Sequence, residues 1–160
     1  MHVLLVEPSY YSQYPPLGLL KLSAWHKLQG DTVEFVRGTS ALRYVRRDPD
    51  RVYVTSLWTW AWGSVYAAVQ MSRVCFRRAE VWVGGIYASL TPEHAKESGA
   101  DRVVIGLMRE TEDLMPDYSL VPDWNAKRKA SILFSHRGCV RAGGFCAVPK
   151  LEGKPFQVRP

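Results

Sequence analysis

Five short apolar runs recur along the first two-thirds of the chain, at residues 2–6, 32–36, 52–57, 80–83 and 101–105. This recurrence constrains the fold more than any other feature, because each run is too short for a helix and of the right length for a buried strand. Helical spacing fills the larger gaps. Residues 17–29 place Leu17, Leu20, Ala24 and Leu28 on one face, and Gly30 can end the turn series. Residues 64–78 do the same with Val65, Ala68, Val69, Ser72 and Cys75. Residues 92–98 read as a short helix that Thr91 can cap. Residues 37–50 are a connection with room for a helical turn.

Apolar strands alternating with helices imply a parallel sheet covered on both faces. With right-handed crossovers this predicts a doubly wound, Rossmann-like α/β domain of about five parallel strands, followed by a C-terminal extension. Ligands of such sheets lie beyond the carboxyl ends of the strands. Those ends are residues 7–16, 57–63, 84–90 and 106–112. Composition shifts at residue 113. Pro116-Asp117-Tyr118 and Pro122-Asp123-Trp124 read as a surface linker over residues 113–129. Residues 130–134 read as one more strand. The expected division is thus 1–112, 113–129 and 130–160.

Hydrophobic residues make up 47% of the 160, which is globular rather than disordered. The net charge of +6 lies in short clusters: Arg43, Arg46, Arg47 and Arg51; Arg73, Arg77 and Arg78; Lys127, Arg128 and Lys129. None is interleaved with aromatics in a recognition pattern, so solvated faces are expected and a nucleic-acid partner is not. No apolar run reaches the length of a membrane span, so no membrane association is expected. The N-terminus reads as a strand rather than a signal peptide, so a cytoplasmic location is expected. Three cysteines, Cys75, Cys139 and Cys146, do not suggest a disulfide scaffold. The four histidines lack metal-ligand spacing among themselves and read as structural or surface residues.

The most specific segment runs Arg137-Gly138-Cys139-Val140-Arg141-Ala142-Gly143-Gly144-Phe145-Cys146. It resembles the cluster loop of radical S-adenosylmethionine enzymes, whose pattern is C-x3-C-x2-C with an aromatic before the last cysteine. Cys139 matches the first position, Phe145 the aromatic and Cys146 the last, while Gly143 stands where the middle cysteine belongs. The resemblance implies a [4Fe-4S] cluster and S-adenosylmethionine, with Cys139 and Cys146 as metal ligands. Two thiolates, however, leave a labile cluster, a zinc ion with outside ligands and a pair of free cysteines all open.

Residues 1–124 resemble the cobalamin-binding-type domain that precedes such barrels. The matching segments are Pro15-Pro16-Leu17-Gly18-Leu19, Gly84-Gly85-Ile86-Tyr87-Ala88-Ser89-Leu90 and Asp101-Arg102-Val103-Val104-Ile105-Gly106. Thr55-Ser56-Leu57 stands where the S-x-L of histidine-on-cobalt families falls. The D-x-H-x-x-G element is missing from Pro8-Ser9-Tyr10-Tyr11-Ser12-Gln13, so a mode with a protein histidine on cobalt is not expected. The resemblance implies cofactor contacts from Thr55, Ser56, Gly84, Gly85, Tyr87 and Ser89. Glycines let backbone approach a ligand closely, and Thr55 and Ser56 can bond polar groups at a strand end. The alternative for all of them is a tight turn and a satisfied strand terminus.

Trp58, Trp60 and Trp62 form an aromatic cluster that either stacks a flat ligand or covers the sheet end. Tyr10, Tyr11 and Tyr14 can line the same cleft or close a loop. Glu110 and Glu112 read as a solvated helix start that can meet a polar ligand. No residue reads as catalytic. Two functions are expected from this pattern. One is an N-terminal fragment or split half of a radical S-adenosylmethionine protein that needs a separately encoded barrel for turnover. The other is a stand-alone α/β module that binds a cobalamin-like or nucleotide-like ligand or a partner barrel.

Overall fold

The structure is a computed structural model and describes residues 1–141 and 143–158. Five parallel strands form the main sheet: β1 (His2–Glu7), β2 (Thr32–Arg37), β3 (Arg51–Ser56), β4 (Glu80–Gly85) and β5 (Arg102–Val104). Their order is β2-β1-β3-β4-β5. The chain moves outward from β1 in one direction and then in the other, so the direction reverses between β1 and β3. The doubly wound α/β class expected from the strand recurrence is the fold observed.

Side chains alternate across the strands, and each parity builds one core. Leu4, Val6, Val52, Val54, Val81 and Val83 face α2 (Trp62–Cys75) and meet its Val65, Ala68 and Val69. Ala88 of α3 (Ile86–Leu90) and Ala95 of α4 (Pro92–Lys96) close the same core. Val3, Leu5, Tyr53 and Trp82 face the other way, toward Leu19 and Leu22 of α1 (Leu17–Leu28). A parallel sheet buried on both faces explains why its strands read as apolar runs rather than as alternating patterns.

The inward face of α1 differs from the expected one. Leu28 is exposed, while Leu19, Leu20, Lys21, Leu22, Ser23 and His26 are buried. Three of these are polar, and each has a partner that makes its burial tolerable. His26 Nδ1 lies 2.7 Å from Asp31 and Nε2 lies 3.1 Å from the Tyr53 hydroxyl. Ser23 donates to Asp117 at 2.6 Å. Lys21 donates to the backbone carbonyl and the carboxylate of Glu112.

The connection after β2 contains a helical turn, as its length allowed: a 3-10 turn at Thr39–Tyr44. Gly85 at the end of β4 runs directly into α3. Other segments differ from expectation. Thr91 precedes α4, but its hydroxyl donates to the Tyr87 carbonyl and makes no cap bond. Residues 113–129 contain a 3-10 turn at Tyr118–Leu120 and a helix, α6 (Pro122–Arg128). They follow a four-residue helix, α5 (Arg109–Glu112). Residues 130–134 form no strand. The Tyr118 hydroxyl accepts the Ile132 N–H and donates to the Ile132 carbonyl, both at 2.6 Å, so the backbone of Ile132 is satisfied outside a ladder. The extension beyond them pairs β6 (His136–Arg137) with β7 (Phe156–Gln157) antiparallel, around α7 (Val148–Glu152). None of the described helices is long and apolar enough to cross a membrane.

Candidate functional site

The carboxyl ends of β1, β3 and β4 meet on the α1 side of the sheet, and the parity rule decides what they present there. The row Leu5, Tyr53, Trp82 and Arg102 is filled by large side chains in register. One pleat further along, Glu7 pairs with Arg37, Thr55 with Gly84, and Gly84 with Val104. Here the sheet carries a hydroxyl and a hydrogen where the previous row carries two rings. The missing volume becomes a cavity of about 440 Å³, within the size range of sites for small organic ligands.

α1 brings Leu17, Gly18, Leu19 and Leu22 to one wall, and the segment before it brings Tyr10, Tyr14, Pro15 and Pro16. Leu57 and Trp58 follow from β3, and Ile86 and Ser89 from the start of α3. The fourth wall comes from the extension: Phe134, Arg137, Leu151 and Glu152. Most of this lining is apolar.

The charged groups are neutralised in pairs. Arg37 Nε binds Glu7 Oε2. Burial pushes the Glu7 carboxyl above its ordinary value against the pull of the Arg37 charge and hydrogen bond. Burial, then the Glu7 charge, pushes the Tyr10 phenol up, while bonds from Thr55 and the Leu57 backbone act the other way. Glu112 takes Lys21 on one side and Arg137 on the other, with Arg137 Nε at 2.9 Å. Arg137 continues to Glu152 at 2.8 Å, and Glu152 accepts the Gly138 N–H at 2.7 Å. Two cations thus meet two carboxylates, and this chain of pairs holds the extension against the sheet.

Of the six residues expected to meet a cofactor, five line the cavity: Thr55, Ser56, Gly84, Gly85 and Ser89. Two of these are saturated by the fold. The Ser56 hydroxyl donates to the Gly84 carbonyl at 2.9 Å and accepts the Ala88 N–H at 3.1 Å. The Ser89 hydroxyl donates to the Gly85 carbonyl at 2.7 Å and accepts the Gly106 N–H at 2.9 Å. These two serines tie the ends of β3, β4 and β5 together and have little capacity left for a ligand. Tyr87, the sixth, does not line the cavity. It is buried on the α2 side, where its hydroxyl lies 2.7 Å from His94 Nδ1. It follows Gly85 by two residues, but α3 begins at Ile86 and turns it away.

Trp58 lines the cavity mouth, and Trp60 stacks on it with ring centroids 6.0 Å apart and planes at 15°. Trp60 is 71% exposed. Trp62 points elsewhere and packs edge-on to Tyr66 and His94. Tyr10 and Tyr14 reach the cavity, whereas Tyr11 is exposed. Glu112, expected at a solvated helix start, is buried instead. Its burial was hidden because its two cations lie 91 residues before and 25 residues after it.

Cys139 and Cys146 lie half-buried in the turn between β6 and α7. Among the described residues no three histidine, cysteine or acidic side chains gather as a ligand set. A side chain at Gly143 would begin 3.8 Å from Cys146 Cβ, beside that residue, but glycine supplies no donor. Two thiols without a third do not fit a [4Fe-4S] cluster held by three protein sulfurs. Cys75 lies at the end of α2, packed against the core, and adds nothing to the pair.

No protein-family model matches this chain, and no curated protein matches it. Solved structures do resemble it. A response regulator from Thermotoga maritima is 18% identical, covers 78% of this chain over 97% of its own, and gives a TM-score of 0.51. The receiver domain of a sensor histidine kinase from Pseudomonas aeruginosa PAO1 is 17% identical over 81% of this chain and 98% of its own, with a TM-score of 0.47. A cobalamin-binding protein from Desulfitobacterium hafniense DCB-2 is 16% identical over 63% of this chain, with a TM-score of 0.44. This chain spans half the length of that last protein. The Thermotoga likeness shows the fold alone; the two lower scores carry no weight. No aspartate is among the described residues that line the cavity.

Proposed function

We propose that this chain is an α/β binding module whose strand-end cavity takes an uncharged, largely apolar small molecule. The observation that carries this reading is the Thr55–Gly84 gap between β3 and β4, which opens a cavity next to the β1–β3 point where strand order reverses. Its lining is mostly apolar, and each of its carboxylates is already paired, so a charged ligand would find no free counter-charge. Nothing in the lining assembles a nucleophile with a base, and the reading includes no turnover.

The convergence of Pro15–Leu19, Thr55–Leu57 and Gly84–Ser89 on one cavity supports a cobalamin-type ligand as a second reading. Those are the segments that resemble the cobalamin-binding-type domain. A cavity of about 440 Å³ takes one arm of such a ligand, with the corrin outside against Trp58 and Trp60. The iron–sulfur reading has no comparable support, since the loop offers two thiols and no third donor.

The test is titration with the uncharged dye N-phenyl-1-naphthylamine and, separately, with hydroxocobalamin. Saturable one-site dye binding that Gly84→Leu abolishes is expected, because that side chain fills the gap. Saturable quenching of tryptophan fluorescence by hydroxocobalamin, also lost in Gly84→Leu, would favour the second reading. Dye binding that is absent, or indifferent to Gly84→Leu, would overturn the cavity reading.

A further inference from the structure

We propose that the occupant of this cavity is a planar, uncharged nitrogen heterocycle that stacks on Trp58 and donates a ring N–H to Glu7. The proposal rests on the small-molecule reading above and adds the chemistry of the ligand.

Glu7 is the one carboxylate at the sheet end of the cavity, and it is 2% exposed. Arg37 takes its Oε2 from the β2 side, and the side chain of Arg37 is itself half exposed. Among the described residues the second oxygen has no hydrogen-bond partner. On a residue 2% exposed it has little access to water, and a donor supplied by an occupant would add a bond there. Since Arg37 already balances the charge, the donor suited to it is a neutral N–H rather than a cation. Thr55 stands beside Glu7 in the continued β1–β3 register and helps hold the Tyr10 phenol at the same end.

The rest of the cavity specifies the body of the ligand. Gly84 and Gly18 leave a gap without side chains between apolar walls. Trp58 lines the mouth and is held by the near-parallel ring of Trp60, with Tyr10 and Tyr14 also in the lining. Aromatic rings prefer offset stacking on such a surface, so a flat bicyclic ring matches it better than a branched aliphatic body does.

The test is calorimetric titration of the full chain with indole and with 1-methylindole, which share shape and stacking but differ in the donor. Indole is expected to bind about tenfold or more tightly, the usual weight of a hydrogen bond to a charged group. Glu7→Gln is expected to bring the two affinities within a few-fold, and Trp58→Ala to weaken both equally. Equal affinities in the unaltered chain would overturn the donor inference and leave the cavity reading intact. So would an undiminished preference in Glu7→Gln. If neither ring binds at millimolar concentration, while the dye of the previous test does, the heterocycle inference falls alone. If nothing binds, both fall.

Discussion

Gly85 lies so close to Ser56 that a β-carbon on it would sit 2.5 Å from the Ser56 carbonyl oxygen and 3.0 Å from its nitrogen. The φ of Gly85 is +111°, in a region that side chains rarely adopt. The contact lets β4 turn into α3 without a loop, and it sets the serine ties that shape one end of the cavity. Gly85→Ala is therefore expected to lose about 3 kcal/mol or more, since backbone strain and a clash with backbone add. Urea unfolding followed by circular dichroism measures it, and a loss below 1 kcal/mol would contradict the close approach.

Ser56→Ala separates a structural serine from a ligand-binding one. The buried hydroxyl bridges the Gly84 carbonyl and the Ala88 N–H. Its removal strands both groups and is expected to cost about 1–3 kcal/mol of stability. Dye affinity at temperatures where the variant is folded should change less than threefold. A large affinity loss with unchanged stability would return Ser56 to the ligand.

Arg137→Ala tests how the extension is held. Arg137 spans Glu112 and Glu152 and stacks on Phe134 at 3.5 Å. Lys21 still satisfies Glu112 without it, so the sheet should survive. The expected result is faster amide exchange across residues 136–158, with the protection of β1, β3 and β4 unchanged. A loss of roughly 2–3 kcal/mol of local stability is expected for breaking a largely buried pair. Uniform exchange changes across the whole chain would refute the local attachment.

Asp117 joins the segment after α5 to α1. Burial raises its pKa, but hydrogen bonds from Lys27, Ser119 and Ser23 and the Lys27 charge outweigh that and hold it below the ordinary carboxylate value. A depressed acid binds its proton less readily folded than unfolded. Its contribution is thus present above the unfolded value near pH 4 and disappears as pH falls through the folded one. Asp117→Asn should flatten the acid limb of a stability–pH curve below about pH 4 and be less stable at neutral pH. Parallel curves for the two proteins would show that Asp117 is not depressed.

Anaerobic reconstitution with ferrous iron and sulfide is expected to give no broad cluster absorbance, because Cys139 and Cys146 have no third sulfur beside them. Restoring the donor with Gly143→Cys gives the informative contrast. Cluster absorbance in the unaltered chain would overturn the fit argument made from the loop.

Legibility followed the range of the interactions. The strands were readable because a doubly buried parallel sheet leaves continuous apolar runs, and the strand ends were readable because Gly84-Gly85 and Thr55-Ser56 interrupt those runs. The buried face of α1 was not readable: Ser23, His26 and Lys21 look solvent-facing until Asp117, Tyr53 and Glu112 arrive from distant sequence. Residues 130–134 looked like a strand by β propensity, and the Tyr118 hydroxyl took both backbone groups of Ile132 at its centre.

The amino-acid sequence by itself determined the sheet, its alternating helices and the side of it on which a ligand would sit, because burial and strand length are local and additive. Only the tertiary structure decided which strand-end residues face the cavity, which are used up holding the fold together, and that Glu7 and Trp58 share one space. Register sets those neighbours, and register depends on pairing between segments that no local pattern encodes.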